Sequence, residues 1–298
     1  MLIPHAASRD GERVQEFGFN IRWSIMKNLF ESWKYILKNV WFVLPFAVMP
    51  AVFLALSLDY SAISTLIIGF FTGNPRLDFM GYFNAWSLFR FDSWLGGIFS
   101  LIAFLFIAIF AALMLTFVEK HLRIGKRSFS GVFAGFCNVL PASILITFVY
   151  AALYEVWALL VSALLFTISA IEATPAVYIF SITVVLIFTF ALLYVATAFY
   201  LWLPCRQMTG FGFYDAFLYS YRLMIGVRWR LVLSFTISYM GGIFLLICAS
   251  LLPGYAFRIA SVIIFAALFL SFCIRMETIY FETDKLDRED ILHSYKEY

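Results

Sequence analysis

The sequence predicts an all-α, polytopic membrane fold: six transmembrane helices, three amphipathic helices at the cytoplasmic-side interface, and a pseudo-threefold repeat of one surface helix plus one helix pair. Three observations lead there. The 298 residues are 63% hydrophobic and only 13% charged, with a mean hydropathy of +0.92, far more apolar surface than a water-soluble core can bury. The charges gather at the ends of apolar runs long enough to cross a hydrocarbon core of about 30 Å. Three of these runs are preceded by a short segment with one apolar face.

Residues 1–20 are polar, with Arg9, Asp10, Glu12, Arg13 and Glu16, and the first long apolar run starts only at Val40. That is too late for a cleaved secretory signal, so the N-terminus is expected to be retained. From Ile21 to Lys38, the residues Met26, Leu29, Phe30, Trp33, Ile36 and Leu37 share a helical stripe opposite Lys27, Glu31, Lys34 and Lys38. Such a helix lies flat at a membrane surface. Val40–Leu58 is the first span. Ser61–Thr72 is too short to cross alone and reads as interfacial, re-entrant or a bent continuation of that span. Asn74–Trp94 is crowded with aromatic rings, which favour the membrane boundary, and reads as a belt or cap on one face.

Gly96–Val118 is the second span, followed by a basic loop with Lys120, Arg123, Lys126 and Arg127. Ser128–Leu140 is the second surface helix; its Gly131 and Gly135 have the spacing of a close helix approach. The next run, Val139–Ile168, exceeds the bilayer, and Pro141 is expected to mark the point where the surface helix turns inward. Ala176–Leu203 is the fourth span. A surface helix over Asp215–Gly226 leads through Arg228, Trp229 and Arg230 into Leu231–Leu252, which carries no charge. Pro253 and Gly254 turn the chain into the sixth span, Tyr255–Cys273.

The expected organisation is a polar tail (1–20), a membrane domain (21–275, with repeats over about 21–118, 123–203 and 209–275) and a charged tail (276–298). Gathering both termini and the loops 119–130 and 204–230 on one side collects all but Arg76, Arg90 and Arg258 of the 21 Lys and Arg residues. By the positive-inside rule that side is cytoplasmic. The repeat shows in Ser32, Trp33, Lys34 and Trp41, which match Ser220, Tyr221, Arg222 and Trp229 in type and spacing. Trp33, Lys34, Trp41, Tyr221, Arg222 and Trp229 are therefore expected to be interfacial anchors.

The passages DAFLYSYRLMIGVRWRLVLSF and LFESWKYILKNVWFVLPF, with the ending RMETIYFETD, resemble the pattern of six-helix bacterial proteins of the YciC type and of the membrane domain fused to some glycerophosphodiester phosphodiesterases. The resemblance covers roughly residues 21–283 and implies a helical protein of the bacterial inner membrane. No stretch corresponds to the soluble phosphodiesterase domain, so that activity is not implied.

Glu155 is the one ionisable side chain set well inside an apolar run, where a charge is costly. It is expected to be a buried charge that contacts an ion or substrate, or a neutral hydrogen-bonded acid, or half of a salt bridge with Arg258. On the first of these readings Glu155→Gln folds normally and loses any proton-coupled activity. The four cysteines and three histidines are scattered without metal-ligand or disulfide spacing, and no phosphate loop, HExxH or GxSxG motif is present. No cofactor and no catalysis are expected, and the modest net charge of +3 argues against nucleic acid as a partner. Two functions remain: a non-catalytic scaffold or accessory subunit that interacts with membrane lipids or a partner protein, and a transporter or channel-like protein for a small or lipidic substrate, using Glu155. The scarcity of polar groups within the spans favours the first, and a lipidic substrate escapes that objection.

Overall fold

The computed structural model describes residues 29–60, 63–66, 69, 77–125, 129, 131–171 and 174–287. Among them all regular structure is helical: α1 (Val40–Ser57), α2 (Phe79–Trp86), α3 (Trp94–Ile124), α4 (Val132–Ser169), α5 (Thr174–Ala198), α6 (Trp202–Thr209), α7 (Phe213–Met224), α8 (Arg228–Ser250) and α9 (Gly254–Asp287), preceded by a helical lead-in over 29–38. Six helices are long and apolar enough to cross a membrane: α1, α3, α4, the α5–α6 run, α8 and α9. The chain is thus compatible with a multi-pass membrane protein. The tails 1–20 and 288–298, the first part of the 21–38 helix, most of 61–72 and the basic pair Lys126 and Arg127 lie outside the described residues.

Close packing centres on α1, which is apolar on every side and contacts α3 and α9 most extensively. Its inward stripe is small: Val43, Ala47, Ala51 and Ala55 recur every four residues and are almost completely buried. On α3 the same core takes in an equally small pair, Ala111 and Ala112. Where lipid offers no hydrophobic drive between helices, such stripes let backbones approach and gain dispersion contact. The α4–α3 crossing uses the same device. A Cβ on Gly135 would sit 2.8 Å from Thr116 Cγ2, and Ser143 Oγ donates to the Ala108 carbonyl (2.7 Å). Gly131 instead caps the start of α4 with φ near 74°, a conformation that disfavours other residues.

Two boundaries differ from expectation. The chain does not turn at Pro141: α4 is one unbroken helix with Pro141 inside it, so residues 132–140 form its first turns and not a separate surface helix. Proline removes one backbone bond, and with apolar neighbours on every side a continued helix satisfies the remaining groups better than a break does. The second difference is at the other end. The sixth apolar helix does not stop near Cys273, and the boundary at 275/276 falls inside α9, which runs on to Asp287. No Gly or Pro follows Gly254 in that stretch, so nothing terminates the helix when its hydropathy drops. Arg275, Glu277, Ile279 and Tyr280 are fully buried rather than part of an exposed tail.

The aromatic stretch before α3 forms α2 and a loop over 87–93. Asp78 caps α2 by accepting from the Gly81 N–H (2.9 Å), and Ser93 caps α3 by accepting from the Gly96 N–H (3.1 Å). Helix α2 rests on α4, where Tyr82, Trp157, Ala158, Val161 and Leu165 form a second, smaller core and Trp86 meets Trp157 edge-on. Helix α5 is the least enclosed of the six, with Ile179, Phe180, Ile182 and Ile187 exposed.

Candidate functional site

Six helices of this length cannot close tightly along their whole extent, and the gaps between α1, α3, α4, α5, α8 and α9 form three adjoining cavities. The first, about 310 Å³, lies between α3, α4, α5 and α9 and is lined by residues such as Phe104, Ile107, Tyr150, Leu193 and Phe272. The second, about 300 Å³, is bounded by Tyr200, Phe235, Leu268, Ser238, Ser271 and Arg275. The third, about 320 Å³, opens toward Ser57, Asp59, Asn84 and Ser87. Tyr239 of α8 borders all three; the first is lined almost wholly by apolar and aromatic side chains, while polar groups enter the second at Ser238, Ser271 and Arg275 and the third at Ser57, Asp59, Asn84 and Ser87. The apolar surface that predominates in each suits an apolar ligand better than a hydrated ion.

Glu155 stands beside the outer end of this space, on the half-buried side of α4 that faces the 87–93 loop. Its Oε1 accepts from the backbone N–H of Leu88 (2.8 Å) and Phe89 (3.1 Å), and Ser87 Oγ lies 2.8 Å from its Oε2. A loop whose amides converge on one carboxylate is the natural home of an anion. The same loop is anchored again by Arg90, which donates from Nε and Nη2 to Asp92 (2.9 and 2.6 Å) and pairs with Asp59 at 3.3 Å. Its backbone N–H also reaches Ser100 Oγ on α3 (3.2 Å). The hydrogen bond to Asp92 raises the Arg90 pKa above its ordinary value, and Arg90 in turn holds the Asp92 carboxyl below the usual carboxylate range. Glu155 therefore sits at the height where α1 ends and α3 begins, with a further ~21 Å of α4 beyond it.

Arg258 does not partner Glu155. It is exposed on the first turns of α9, because the face that packs inward there is the one carrying Phe257 and Ser261, and it is not a buried charge. The anchors divide by burial in a matched way. Ser32 and Ser220 are fully buried, Lys34 and Arg222 are exposed, and Trp41 and Trp229 are strongly exposed. Trp33 is half-buried against the core while its counterpart Tyr221 is exposed. Tyr221 stacks beneath the Arg228 guanidinium at 4.7 Å, and Trp229 packs on Phe190 and Tyr194 of α5. Ser32 Oγ comes within 3.3 Å of Thr278 Oγ1, tying the lead-in helix to the buried end of α9.

That buried end holds Arg275, at the expected end of the membrane domain, and Glu277, from the stretch expected to begin the charged tail. Arg275 donates from Nη2 to Ser271 Oγ (2.9 Å) and Ser238 Oγ (3.1 Å) and lies 5.3 Å from the Phe235 ring centre, while its Nε and Nη1 have no acceptor among the described residues. Glu277 is equally buried, and neither of its carboxyl oxygens has a hydrogen-bond partner among the described residues. Around it, Gln207 donates to Glu119, and Tyr219 donates to Asp284 at 2.7 Å. The available signal was the continuation of the apolar period through Met276, Ile279 and Tyr280, with Arg275 and Glu277 carried along inside it. No three His, Cys, Asp or Glu side chains among the described residues gather as a metal centre, and all four cysteines are free.

No protein-family model, curated protein or solved structure matches this chain.

Proposed function

We propose that the chain is a non-catalytic, multi-pass membrane protein that interacts with lipid through the interior of its helix bundle. The observation that carries this reading is the set of three adjoining apolar cavities meeting at Tyr239. A scaffold has no need of space between its helices, whereas a protein that takes up an acyl chain does. The same cavities favour, as a second reading, a carrier for a lipidic substrate over one for a hydrophilic solute. Glu155 is occupied by three donors from one loop, which supports a structural clasp over a proton-carrying role.

The proposal extends to placement. The one-sided burial of α7, through Ala216, Ser220, Leu223 and Met224 at helical spacing, supports surface helices at the interface. The matched burial of Ser32 with Ser220, and of Trp41 with Trp229, supports a repeat in which these helices precede helix pairs. The distribution of Lys and Arg supports cytoplasmic termini, and the resemblance to the YciC-type proteins supports the bacterial inner membrane.

The test is lipid retention. The full chain, purified in a mild non-ionic detergent and weighed by native mass spectrometry, is expected to carry bound lipid. Leu193→Trp, which fills the wall shared by the first two cavities, is expected to lose it. Equal retention by both proteins, or none by the unmodified chain, overturns the reading.

A further inference from the structure

Arg275 is withdrawn from solvent, carries a full positive charge, and makes no ion pair with any described carboxylate. Two serine hydroxyls occupy its Nη2, and Nε and Nη1 have no acceptor. A guanidinium is built to hold a carboxylate or phosphate through two parallel N–H bonds. It also forms part of the wall of the second cavity, beside Phe235, Tyr239 and Leu268. Measured along α9 from Gly254, Arg275 lies ~32 Å away, one hydrocarbon thickness from the turn that joins α8 to α9. With that turn placed at one membrane boundary, the cation falls at the headgroup level of the opposite leaflet, and the cavity runs from it along α9 past Leu268 to Phe265.

We propose that this cavity binds a single-chain amphiphile with an anionic head, a carboxylate or a phosphate monoester, paired with Arg275 and with its chain directed toward Tyr239. The proposal rests on the lipid reading above and specifies the class of ligand. Ser238 and Ser271 line the same cavity and occupy Nη2, which leaves Nε and Nη1 for the anionic head. The adjoining cavities at Tyr239 supply the length that one cavity lacks.

The full chain in a non-ionic detergent at pH 8 is titrated calorimetrically with palmitate, with a palmitoyl lysophosphatidic acid and with monopalmitoylglycerol. Both anions are expected to bind at least tenfold more tightly than the neutral lipid, and the order of the two identifies the head as carboxylate or phosphate. Arg275→Gln is expected to bring both anions down to the neutral value and to leave monopalmitoylglycerol within twofold. Leu268→Trp, which keeps the cation and fills the cavity, is expected to abolish anion binding even if Arg275→Gln does not fold. Equal affinity for all three in the unmodified chain, or an anion preference that survives in Arg275→Gln, overturns the anionic-head proposal and leaves the lipid reading standing. Failure of all three to bind overturns both.

Discussion

Glu155 and the Arg275–Glu277 stretch both place ionisable groups on long apolar helices, and the protein handles them in opposite ways. Glu155 receives three hydrogen bonds from one loop, and that loop is held a second time by the ion pairs of Arg90 with Asp92 and Asp59. Arg275 has two of its nitrogens unmatched and Glu277 both of its oxygens, although each is more deeply buried than Glu155. A satisfied buried charge is a fastening. An unsatisfied one marks a place where protein alone does not complete the chemistry.

The contrast can be broken most directly at Glu155. Replacing it with Ala strands the Leu88 and Phe89 N–H groups, and the expected loss is about 3 kcal/mol of unfolding free energy, with about 2 kcal/mol for Gln, which keeps one carbonyl acceptor. Denaturant unfolding followed by helical circular dichroism measures both. A change below about 0.5 kcal/mol in Glu155→Ala would show that the clasp is incidental. This replaces the expectation that Glu155→Gln folds as the parent does.

The opposite outcome is expected at Glu277. Glu277→Leu removes a buried acid that has no partner and fills its volume, so stability is expected to be unchanged or to rise by about 1 kcal/mol. A loss above about 2 kcal/mol in the same assay would place Glu277 in the satisfied class and dissolve the distinction.

The Arg90–Asp92 pair sharpens the comparison through pH. Because Arg90 depresses the Asp92 pKa in the folded chain, the pair stabilises the fold above the ordinary carboxylate value of about 3.9, and the contribution is lost as pH falls through the lower folded value. The pair is partly solvated, so its contribution is expected to stay below about 1 kcal/mol. Thermal midpoints measured from pH 7 down to 3 are expected to fall less steeply in Asp92→Asn than in the parent. Parallel curves would remove the pair from the clasp.

Trp41→Ala and Trp229→Ala set the floor. Both rings are largely exposed and hold nothing buried in place, so each is expected to shift detergent stability by less than about 0.5 kcal/mol. A larger, unequal effect at the two sites would separate positions that the sequence pairs.

The apolar runs, and the placement of the Glu155 carboxyl within one of them, could be read from the chain because they depend on neighbours in sequence. The partner of Glu155 could not. It is supplied by residues 87–89, distant in sequence, through backbone groups that every residue carries, whereas Arg258 had only its charge to recommend it. The end of the sixth span differs from expectation for another reason, and with it the burial of Arg275 and Glu277. Averaged hydropathy falls where charges enter, but helix continuation depends on the absence of breakers, and burial here depends on α1, α3, α6 and α8 closing over α9. Pro141 misled in the reverse direction, since a residue that ends helices in water is tolerated within one where no competing solvent is present.

The unbroken course of α9 has a mechanical consequence. At one end the ring of Phe257 lies against Tyr60, and at the other Asp284 accepts the Tyr219 hydroxyl, with ~40 Å of stiff rod between them. Leaning that rod by about 5° carries its far tip sideways by roughly 3.5 Å, a bond length or two more than a hydrogen bond tolerates. Ring and carboxylate therefore report on each other's position across the full thickness of the bundle, with no jointed element between them to absorb the movement.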